Sequence, residues 1–296
     1  MPRPFHLATT PRLRIAYEEH GPRDAPAAIL LHGWPDDVRT WDGVVPDLAA
    51  RGRRVIVPYL RGFGPTRLRS GVARSGQLAA LGQDVLDLAD ALGLPAFAVV
   101  GHDWGARAAY IAAALAPERV TCCVALSVGW GTNDPNQALP FAQARNYWYH
   151  WYMALDRGEK AVRDDGAAFA RCMWDTWSPG WRADDREFAE TAASFDNPDW
   201  ADVVLHSYRH RWGHAEGDPS YAAVEERLAG TPAIRVPTLV IHGAADACNA
   251  PATSMNRERF FTGPYERVEL GGVGHFPQRE APVEVAAAIG RWLARY

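Results

Sequence analysis

The chain is short of cysteine, of long apolar runs and of excess charge, and each shortage argues against a class of protein. Its 296 residues include four scattered cysteines, so we expect reduced core thiols and no disulfide framework. No apolar run approaches the ~20 residues that span a bilayer, and the first ten residues do not resemble a secretion signal. The formal net charge of -4 gives no reason to expect nucleic acid binding. We therefore expect a cytoplasmic monomer or homodimer that acts on a small molecule, away from membranes.

What the sequence contains at both ends is an alternation of strand-like and helix-like patterns. Leucines recur at helical spacing from Leu78 to Leu92, and the same holds for the apolar residues of Pro282–Arg295. Apolar or alternating runs predict strands at 12–18, 27–31, 54–58, 96–100, 120–128, 236–242 and 265–270. The alternation predicts an α/β protein with a mostly parallel sheet flanked by helices.

The middle of the chain follows a different pattern. Helical segments without intervening strands occupy residues 131–230. Seven of the 12 tryptophans lie there: Trp148, Trp151, Trp174, Trp177, Trp181, Trp200 and Trp212. We therefore expect a helical cap at 131–230 between two parts of an α/β core, 1–130 and 231–296. Its aromatic inner face predicts an apolar or aromatic substrate.

One five-residue segment carries the strongest chemical signal. Gly101-His102-Asp103-Trp104-Gly105 lies between an apolar run and a helix-like run, which predicts a strand, a sharp turn and a helix. Flanking glycines suit a strained turn that leaves no room for Cβ atoms. Asp103 is raised out of the sheet at that turn, and it is ionised without a general base because its unperturbed pKa is ~3.9. A carboxylate there suits attack on a saturated carbon, which forms an alkyl-enzyme ester.

Hydrolysis of such an ester requires a base to activate water. His275, in Gly274-His275-Phe276-Pro277, is the candidate base, and Asp246 is the carboxylate that we expect to orient it. Each lies in a loop that follows a predicted strand. The chain order is nucleophile, acid, histidine, as in α/β-hydrolases.

The oxyanion of ester hydrolysis requires two backbone donors. The N–H of Trp104 is one candidate, because it directly follows the nucleophile. The N–H of Trp34, in Leu31-His32-Gly33-Trp34-Pro35, is the second candidate. We expect a cis bond before Pro35, which would aim that N–H into the site.

These motifs together resemble the α/β-hydrolase superfamily and, within it, the epoxide hydrolases and haloalkane dehalogenases. The resemblance covers essentially the whole core and implies a helical cap above the site. Tyr208 resembles the second cap tyrosine with which epoxide hydrolases protonate the opened ring. The partner tyrosine is expected in the early cap segment, where Trp148 aligns best and Tyr147, Tyr149 and Tyr152 are alternatives. The resemblance implies an epoxide hydrolase, with dehalogenation of a haloalkane or haloacid as the alternative.

The fluoroacetate dehalogenases are a third group of similar proteins. His150-Trp151 resembles their halide-binding pair, and Arg107 resembles one of their two carboxylate-binding arginines. Arg107 is therefore a candidate substrate ligand, although a structural ion pair is the commoner role for such a residue. Their acid would fall near Ser127, which cannot orient a histidine as a carboxylate does.

We expect neither a metal nor a cofactor, because the proposed chemistry requires none. His206, His210 and His214 recur every four residues, as metal ligands on a helix do. If Tyr208 faces the pocket, the ~100° turn per residue directs His206 and His210 away from it.

Overall fold

The computed structural model describes residues 4–132 and 138–296. Residues 133–137 of the expected cap therefore lie outside the described residues. The described chain forms one nine-stranded sheet. Its strands are β1 (His6–Thr9), β2 (Leu13–His20), β3 (Ala27–Leu31), β4 (Arg54–Pro58), β5 (Arg67–Leu68), β6 (Phe97–His102), β7 (Val120–Leu126), β8 (Thr238–Gly243) and β9 (Tyr265–Leu270).

The sheet has the order β1-β2-β4-β3-β6-β7-β8-β9, with β5 paired to β2. Strands β4, β3, β6, β7, β8 and β9 are parallel to their neighbours, whereas the pairs that involve β1, β2 and β5, including β2 with β4, are antiparallel. The predicted α/β-hydrolase fold, with its mostly parallel sheet, is confirmed. The carboxyl ends of the parallel strands meet at one edge, and the loops there build the functional site.

Twelve α-helices accompany these strands in the described residues. They are α1 (Val45–Ala50), α2 (Leu78–Ala91), α3 (Trp104–Leu115), α4 (Phe141–Asn146), α5 (Trp148–Ala154), α6 (Asp156–Asp164), α7 (Gly166–Trp177), α8 (Asp185–Ala192), α9 (Trp200–Arg211), α10 (Ala222–Leu228), α11 (Pro277–Glu280) and α12 (Pro282–Arg295).

The sheet is covered by helices on both faces, which explains its continuously apolar strands. Every residue of β3 is buried. Ile29 and Leu31 belong to the apolar cluster that includes α2 and α3, whereas Ala28 and Leu30 belong to the cluster that includes α1 and α12. Alternate residues of the strand thus supply the two core layers.

Helices α4 to α10 lie between β7 and β8, and the described part of the segment 138–230 contains no strand. The aromatic residues of this segment contact the core directly. The indole Nε1 of Trp174 donates a hydrogen bond of 2.7 Å to the carbonyl oxygen of Pro35, in the loop after β3. Helix α7 of this segment therefore lies against a loop at the carboxyl edge of the sheet.

Candidate active site

Asp103 occupies the turn between β6 and α3, in a conformation that side chains rarely adopt. Its φ of 49° and ψ of -111° lie in a sparsely populated region, so the turn is strained. A Cβ at Gly101 would lie 2.1 Å from the carbonyl oxygen of Gly105, and a Cβ at Gly105 would lie 2.3 Å from that of Leu31. Only glycine fits at either position. The sharp strand-turn-helix geometry predicted from the five-residue segment is present.

One backbone N–H group contacts the carboxylate of Asp103, and a second, that of Trp104, directly follows it in the chain. The N–H of Trp34 donates to Oδ1 of Asp103 at 3.2 Å, across the gap between the loops after β3 and β6. The peptide bond between Trp34 and Pro35 is cis, as predicted. Trp104 is the first residue of α3, where N–H groups have no acceptor within the helix. This geometry suits stabilisation of negative charge on Oδ1.

His275 and Asp246 form a buried pair near Asp103. The Nδ1–H of His275 donates to Oδ2 of Asp246 at 2.9 Å, which fixes the proton on Nδ1. Nε2 of His275 is buried and has no hydrogen-bond partner among the described residues, so its lone pair remains available. The ring can therefore accept a proton from water while Asp246 stabilises the resulting imidazolium.

The charges in this pair reinforce one another. Burial raises the pKa of Asp246, but His275 and His242 lower it more, and the resulting pKa is about 2. Burial lowers the pKa of His275, but Asp246 and then Asp103 outweigh that effect, so its pKa is raised. Oδ1 of Asp246 also accepts the backbone N–H groups of Cys248 and Asn249, at 2.8 and 2.9 Å. Asp246 is therefore a rigidly held carboxylate.

The backbone of His275 is held from both the core and the cap. Its carbonyl oxygen accepts from Nε2 of His102 at 2.8 Å and from Oγ of Ser127 at 2.9 Å. Its N–H donates to Oγ of Ser178, which follows cap helix α7, at 2.8 Å. Ser127, where fluoroacetate dehalogenases would have their acid, therefore contacts the backbone of the histidine, while Asp246 contacts its ring.

Two tyrosines of the cap face the core loops above Asp103. Tyr208, on α9, is buried, and its hydroxyl accepts a 3.1 Å hydrogen bond from Nε1 of Trp104. Tyr149, on α5, is buried with its ring centre 5.3 Å from that of Tyr208 and 5.6 Å from that of Trp34. Burial and the charge of Asp103 raise the pKa of both tyrosines well above the usual value. Both phenols therefore retain their protons at neutral pH.

Three other candidates from the early cap segment, Trp148, Trp151 and Tyr152, lie on the more exposed face of α5. Trp148 and Trp151 are 40% and 37% exposed, and Tyr152 is only half buried. Their assignment as substrate-binding residues stays a prediction. Their exposure follows from helical geometry: Tyr149, His150 and Met153 form the buried face, so their neighbours point outward.

Tyr147, His150 and Arg107 are buried. The hydroxyl of Tyr147 donates to Oδ1 of Asn249 at 2.6 Å, and its ring stacks on that of His150 at 4.4 Å. Arg107 lies one turn after Asp103 on α3 and donates to Oγ1 of Thr132 at 3.1 Å. The ion pair that is the commoner role for Arg107 is absent from the described residues.

Three residues near the site were not selected from the sequence as site residues. The ring centre of Trp177 lies 4.9 Å from that of His275 and 5.0 Å from that of Tyr149. Sγ of Cys248 lies 3.5 Å from the hydroxyl of Tyr149. Cys248 could have been found because it follows Asp246 by two residues. Trp177 and Ser178 had no signal that separated them from the rest of the aromatic cap.

The described residues contain no group of histidine, cysteine, aspartate and glutamate side chains that could hold a metal ion. His206 accepts from the N–H of Gly76 at 3.0 Å and donates to the carbonyl oxygen of Glu216 at 2.9 Å, so both its nitrogens have protein partners. None of the described helices is long and apolar enough to span a membrane.

Comparisons with known proteins agree with this geometry. The family model of the alpha/beta hydrolase fold matches residues 26–282. Epoxide hydrolase A of Mycobacterium tuberculosis is 28% identical, over 97% of this chain and 96% of the relative. The crystal structure of a proposed epoxide hydrolase from Klebsiella pneumoniae is 40% identical, with a TM-score of 0.93 over 97% of this chain and 96% of that one. The structure of epoxide hydrolase A from Mycobacterium thermoresistibile is 26% identical, with a TM-score of 0.80 over 98% of each chain. The chain belongs to the alpha/beta hydrolase family, in the branch that contains the epoxide hydrolases.

Proposed function

We propose that this protein hydrolyses an epoxide to a vicinal diol through an alkyl ester of Asp103. The observation that carries the proposal is the pair of buried phenols, Tyr208 and Tyr149, on the cap above the nucleophile. Opening an epoxide produces an alkoxide, which needs a proton donor. A phenol that remains protonated at neutral pH supplies that proton.

In the first half-reaction, Oδ2 of Asp103 attacks a ring carbon. Oδ1 is the less suitable nucleophile because it accepts the N–H of Trp34. The new carbon–oxygen bond forms as the ring carbon–oxygen bond breaks, and the electron pair goes to the ring oxygen. That oxygen takes a proton from Tyr208 or Tyr149, which leaves a tyrosinate.

In the second half-reaction, Nε2 of His275 takes a proton from water, and the hydroxide attacks Cγ of Asp103. The N–H groups of Trp34 and Trp104 stabilise the oxyanion on Oδ1. The bond from Cγ to Oδ2 breaks, and the leaving alkoxide takes the proton of the hydroxyl group that was added to Cγ. The diol therefore leaves with Oδ2, and Asp103 is a carboxylate again. The proton on His275 returns through solvent to the tyrosinate, so one epoxide and one water give one diol.

Dehalogenation, the alternative from the sequence, is less well supported. A departing halide requires N–H donors. Nε1 of Trp104 already donates to Tyr208, whereas Nε1 of Trp34 and Nε1 of Trp177 have no acceptor among the described residues. Nε1 of Trp151 donates to the carbonyl oxygen of Ala144, and its ring is partly exposed. The halide-binding pair that His150-Trp151 resembles is therefore not assembled towards Asp103.

The rings around Asp103 favour an apolar or aromatic body for the substrate. Apolar pockets hold most ligands by buried area, and the polar groups fix orientation. The rings that pack on Trp34 are those of Tyr149, Phe169, Trp177 and Tyr208, with centres 5.2 to 6.0 Å away.

A single turnover in water enriched in oxygen-18, with enzyme in excess over an aryl epoxide, tests the ester mechanism. We expect the label in the peptide that contains Asp103 and an unlabelled diol, because the diol leaves with Oδ2. A labelled diol with an unlabelled peptide would show that water attacks the epoxide directly. Halide release from chloro- or fluoro-alkanoates without diol formation from any epoxide would support dehalogenation instead.

A further inference from the structure

A second buried histidine lies beside Asp246, in addition to His275. His242, near the end of β8, is fully buried. Its Nε2 donates to the carbonyl oxygen of Asn249 at 2.9 Å and lies 3.2 Å from Oδ2 of Asp246. Oδ2 is also the oxygen to which the ring of His275 donates. Two imidazoles therefore meet at one oxygen of the acid.

The contacts of His242 fix which of its ring nitrogens carries a proton. Both neighbours of Nε2 are acceptors, a carbonyl and a carboxylate oxygen, so Nε2 carries a proton. Nδ1 lies 2.8 Å from Oγ of Ser254, which accepts from Nε of Arg267 at 2.9 Å. The hydroxyl proton of Ser254 has Nδ1 as its nearer acceptor, because the carbonyl oxygen of Pro251 is 3.2 Å away. The donors thus follow one direction along the chain of contacts, from Arg267 to Asp246.

His242 acts on both oxygens of Asp246. It contacts Oδ2 directly, and it binds the carbonyl oxygen of Asn249, whose own N–H donates to Oδ1. Among the described residues, the side chains within 3.2 Å of Oδ2 are those of His275 and His242. Loss of His242 would therefore leave Oδ2 in contact with the one ring that it must orient.

We infer that His242 is a positioning residue, which holds Asp246 where that carboxylate orients His275 for hydrolysis of the alkyl ester. This role deepens the proposed function and rests on it. A carboxylate with weaker support can rotate about its Cβ–Cγ bond, and the imidazole then loses its alignment. Misplacement of a reacting group by about 1 Å can cost ~10²-fold in rate.

The inference predicts that only one half-reaction depends on His242. Attack of Asp103 on the epoxide does not use the pair of His275 and Asp246, so the ester should form at an unchanged rate. Hydrolysis of the ester uses that pair and should become slower. If His242 only stabilised β8, its loss would lower the free energy of unfolding without selecting one step.

Two amide substitutions that differ by one methylene group test this dependence. In His242→Gln the terminal amide reaches the position of Nε2 and keeps an N–H donor there. In His242→Asn the amide ends near the position of Nδ1, too far back to contact Asp246 and Asn249. Both variants therefore replace the ring by an amide, and only the longer one restores the contact.

A single turnover of styrene oxide with enzyme in excess, followed by acid quench and mass spectrometry, measures formation and decay of the ester. We expect His242→Asn to slow ester decay by roughly 10- to 100-fold, the range for loss of a hydrogen bond to a charged group. Its rate of ester formation should equal that of the wild type. His242→Gln should retain most of the wild-type rate of decay.

Thr238→Val is the matched control on the same strand. Thr238 is buried, and its Oγ1 donates to the carbonyl oxygen of Val236 at 3.0 Å. The substitution removes a buried hydrogen bond from β8 away from Asp246, so it should lower stability and leave both steps unchanged. Ester decay as fast in His242→Asn as in the wild type, or equally slow in His242→Asn and His242→Gln, would overturn the inference.

Solvent exchange of the Nδ1 proton of His275, measured by NMR without substrate, separates failure of this inference from failure of the proposed function. The hydrogen bond to Oδ2 of Asp246 protects that proton. We expect a loss of protection in His242→Asn and near-wild-type protection in His242→Gln. If this pattern is found but the wild type forms no ester from an epoxide, epoxide hydrolysis is rejected and the positioning of Asp246 by His242 is retained. Equal exchange in all three proteins would overturn the inference, whichever reaction the protein catalyses.

Discussion

Removal of the Tyr208 hydroxyl tests the proposed protonation of the alkoxide when the epoxide ring opens. In Tyr208→Phe the alkoxide loses one of its two proposed proton donors, while Asp103, His275 and Asp246 remain in place. A positioned general acid contributes ~10²–10⁴-fold. Because Tyr149 remains, we expect alkyl-enzyme formation to slow roughly 100-fold in Tyr208→Phe and far more in the double variant with Tyr149→Phe.

The same substitution has a structural effect that can be measured separately. Nε1 of Trp104 loses its acceptor, since Tyr208 alone accepts its 3.1 Å hydrogen bond among the described residues. An unsatisfied buried donor costs about 1–3 kcal/mol in the free energy of unfolding. Tyr221→Phe is a matched control: Tyr221 is also buried, and its hydroxyl accepts a 2.8 Å hydrogen bond from Nη2 of Arg61, away from Asp103.

Rapid mixing with an aryl epoxide, followed by acid quench and mass spectrometry, measures the rate at which the ester of Asp103 forms. A tyrosine of ordinary pKa begins to ionise as the pH approaches ~10. Because the pKa of both phenols is raised well above that value, the rate of ester formation should not change in that pH range. Urea unfolding measures stability in parallel. A loss of stability in Tyr208→Phe equal to that of Tyr221→Phe, with ester formation as fast as in the wild type, would refute the role of this phenol.

Three further predictions concern ionised groups. Asp246→Asn should slow ester hydrolysis by ~10³–10⁴-fold, as misorientation of a triad histidine does, and mass spectrometry should detect accumulated alkyl-enzyme; wild-type turnover would contradict it. Asp103→Asn removes a charge that raises the pKa of His275, so an NMR titration should give a lower pKa for that ring than in the wild type; an equal or higher pKa would reject the coupling. Burial and the adjacent carboxylate raise the pKa of Asp37 to about 7, while its Oδ2 accepts from Oγ of Ser194 at 2.6 Å. Because the folded pKa is above the unfolded one, stability is lost as pH rises from ~4 to ~7. In thermal unfolding, the stability of Asp37→Asn relative to the wild type should therefore be roughly 2 kcal/mol greater at pH 8 than at pH 5. A relative stability that is the same at both pH values would show that Asp37 does not titrate in this range.

The elements of the core could be predicted because their patterns reflect burial. Residues Ala27–Leu31 and Arg54–Pro58 are strands with the predicted bounds, and the predicted final helix Pro282–Arg295 is present. β1 was not predicted, since His6–Thr9 is a mostly exposed edge strand whose residues are not selected by a core. The loops that carry Asp103, Asp246 and His275 could be predicted to lie close together, because each follows a predicted strand and the carboxyl ends of parallel strands meet at one edge of the sheet.

The side chains of the cap that contact the core could not be predicted from the sequence. Helical periodicity indicates which residues share a face, but not which face contacts the core. Trp148 therefore aligned best by sequence, whereas the packing of α5 buries Tyr149. That Arg107 has no acidic partner among the described residues could not be predicted either, because no local pattern records how α3 packs against its neighbours.

The hydroxyl of Ser178 connects the cap to the loop that carries His275, the proposed base. It accepts the N–H of His275 and donates to Oε1 of Glu280 at 2.6 Å, while the Gly274 backbone lies so close that a Cβ there would be 2.5 Å from Cα of Ser178. The end of α7 is thus fastened to the loop that carries the imidazole. Opening of the cap at this junction would break both hydrogen bonds of the Ser178 hydroxyl, whereas displacement of other cap helices would leave them in place. A capless truncation would accordingly lose the alignment of its base together with its pocket.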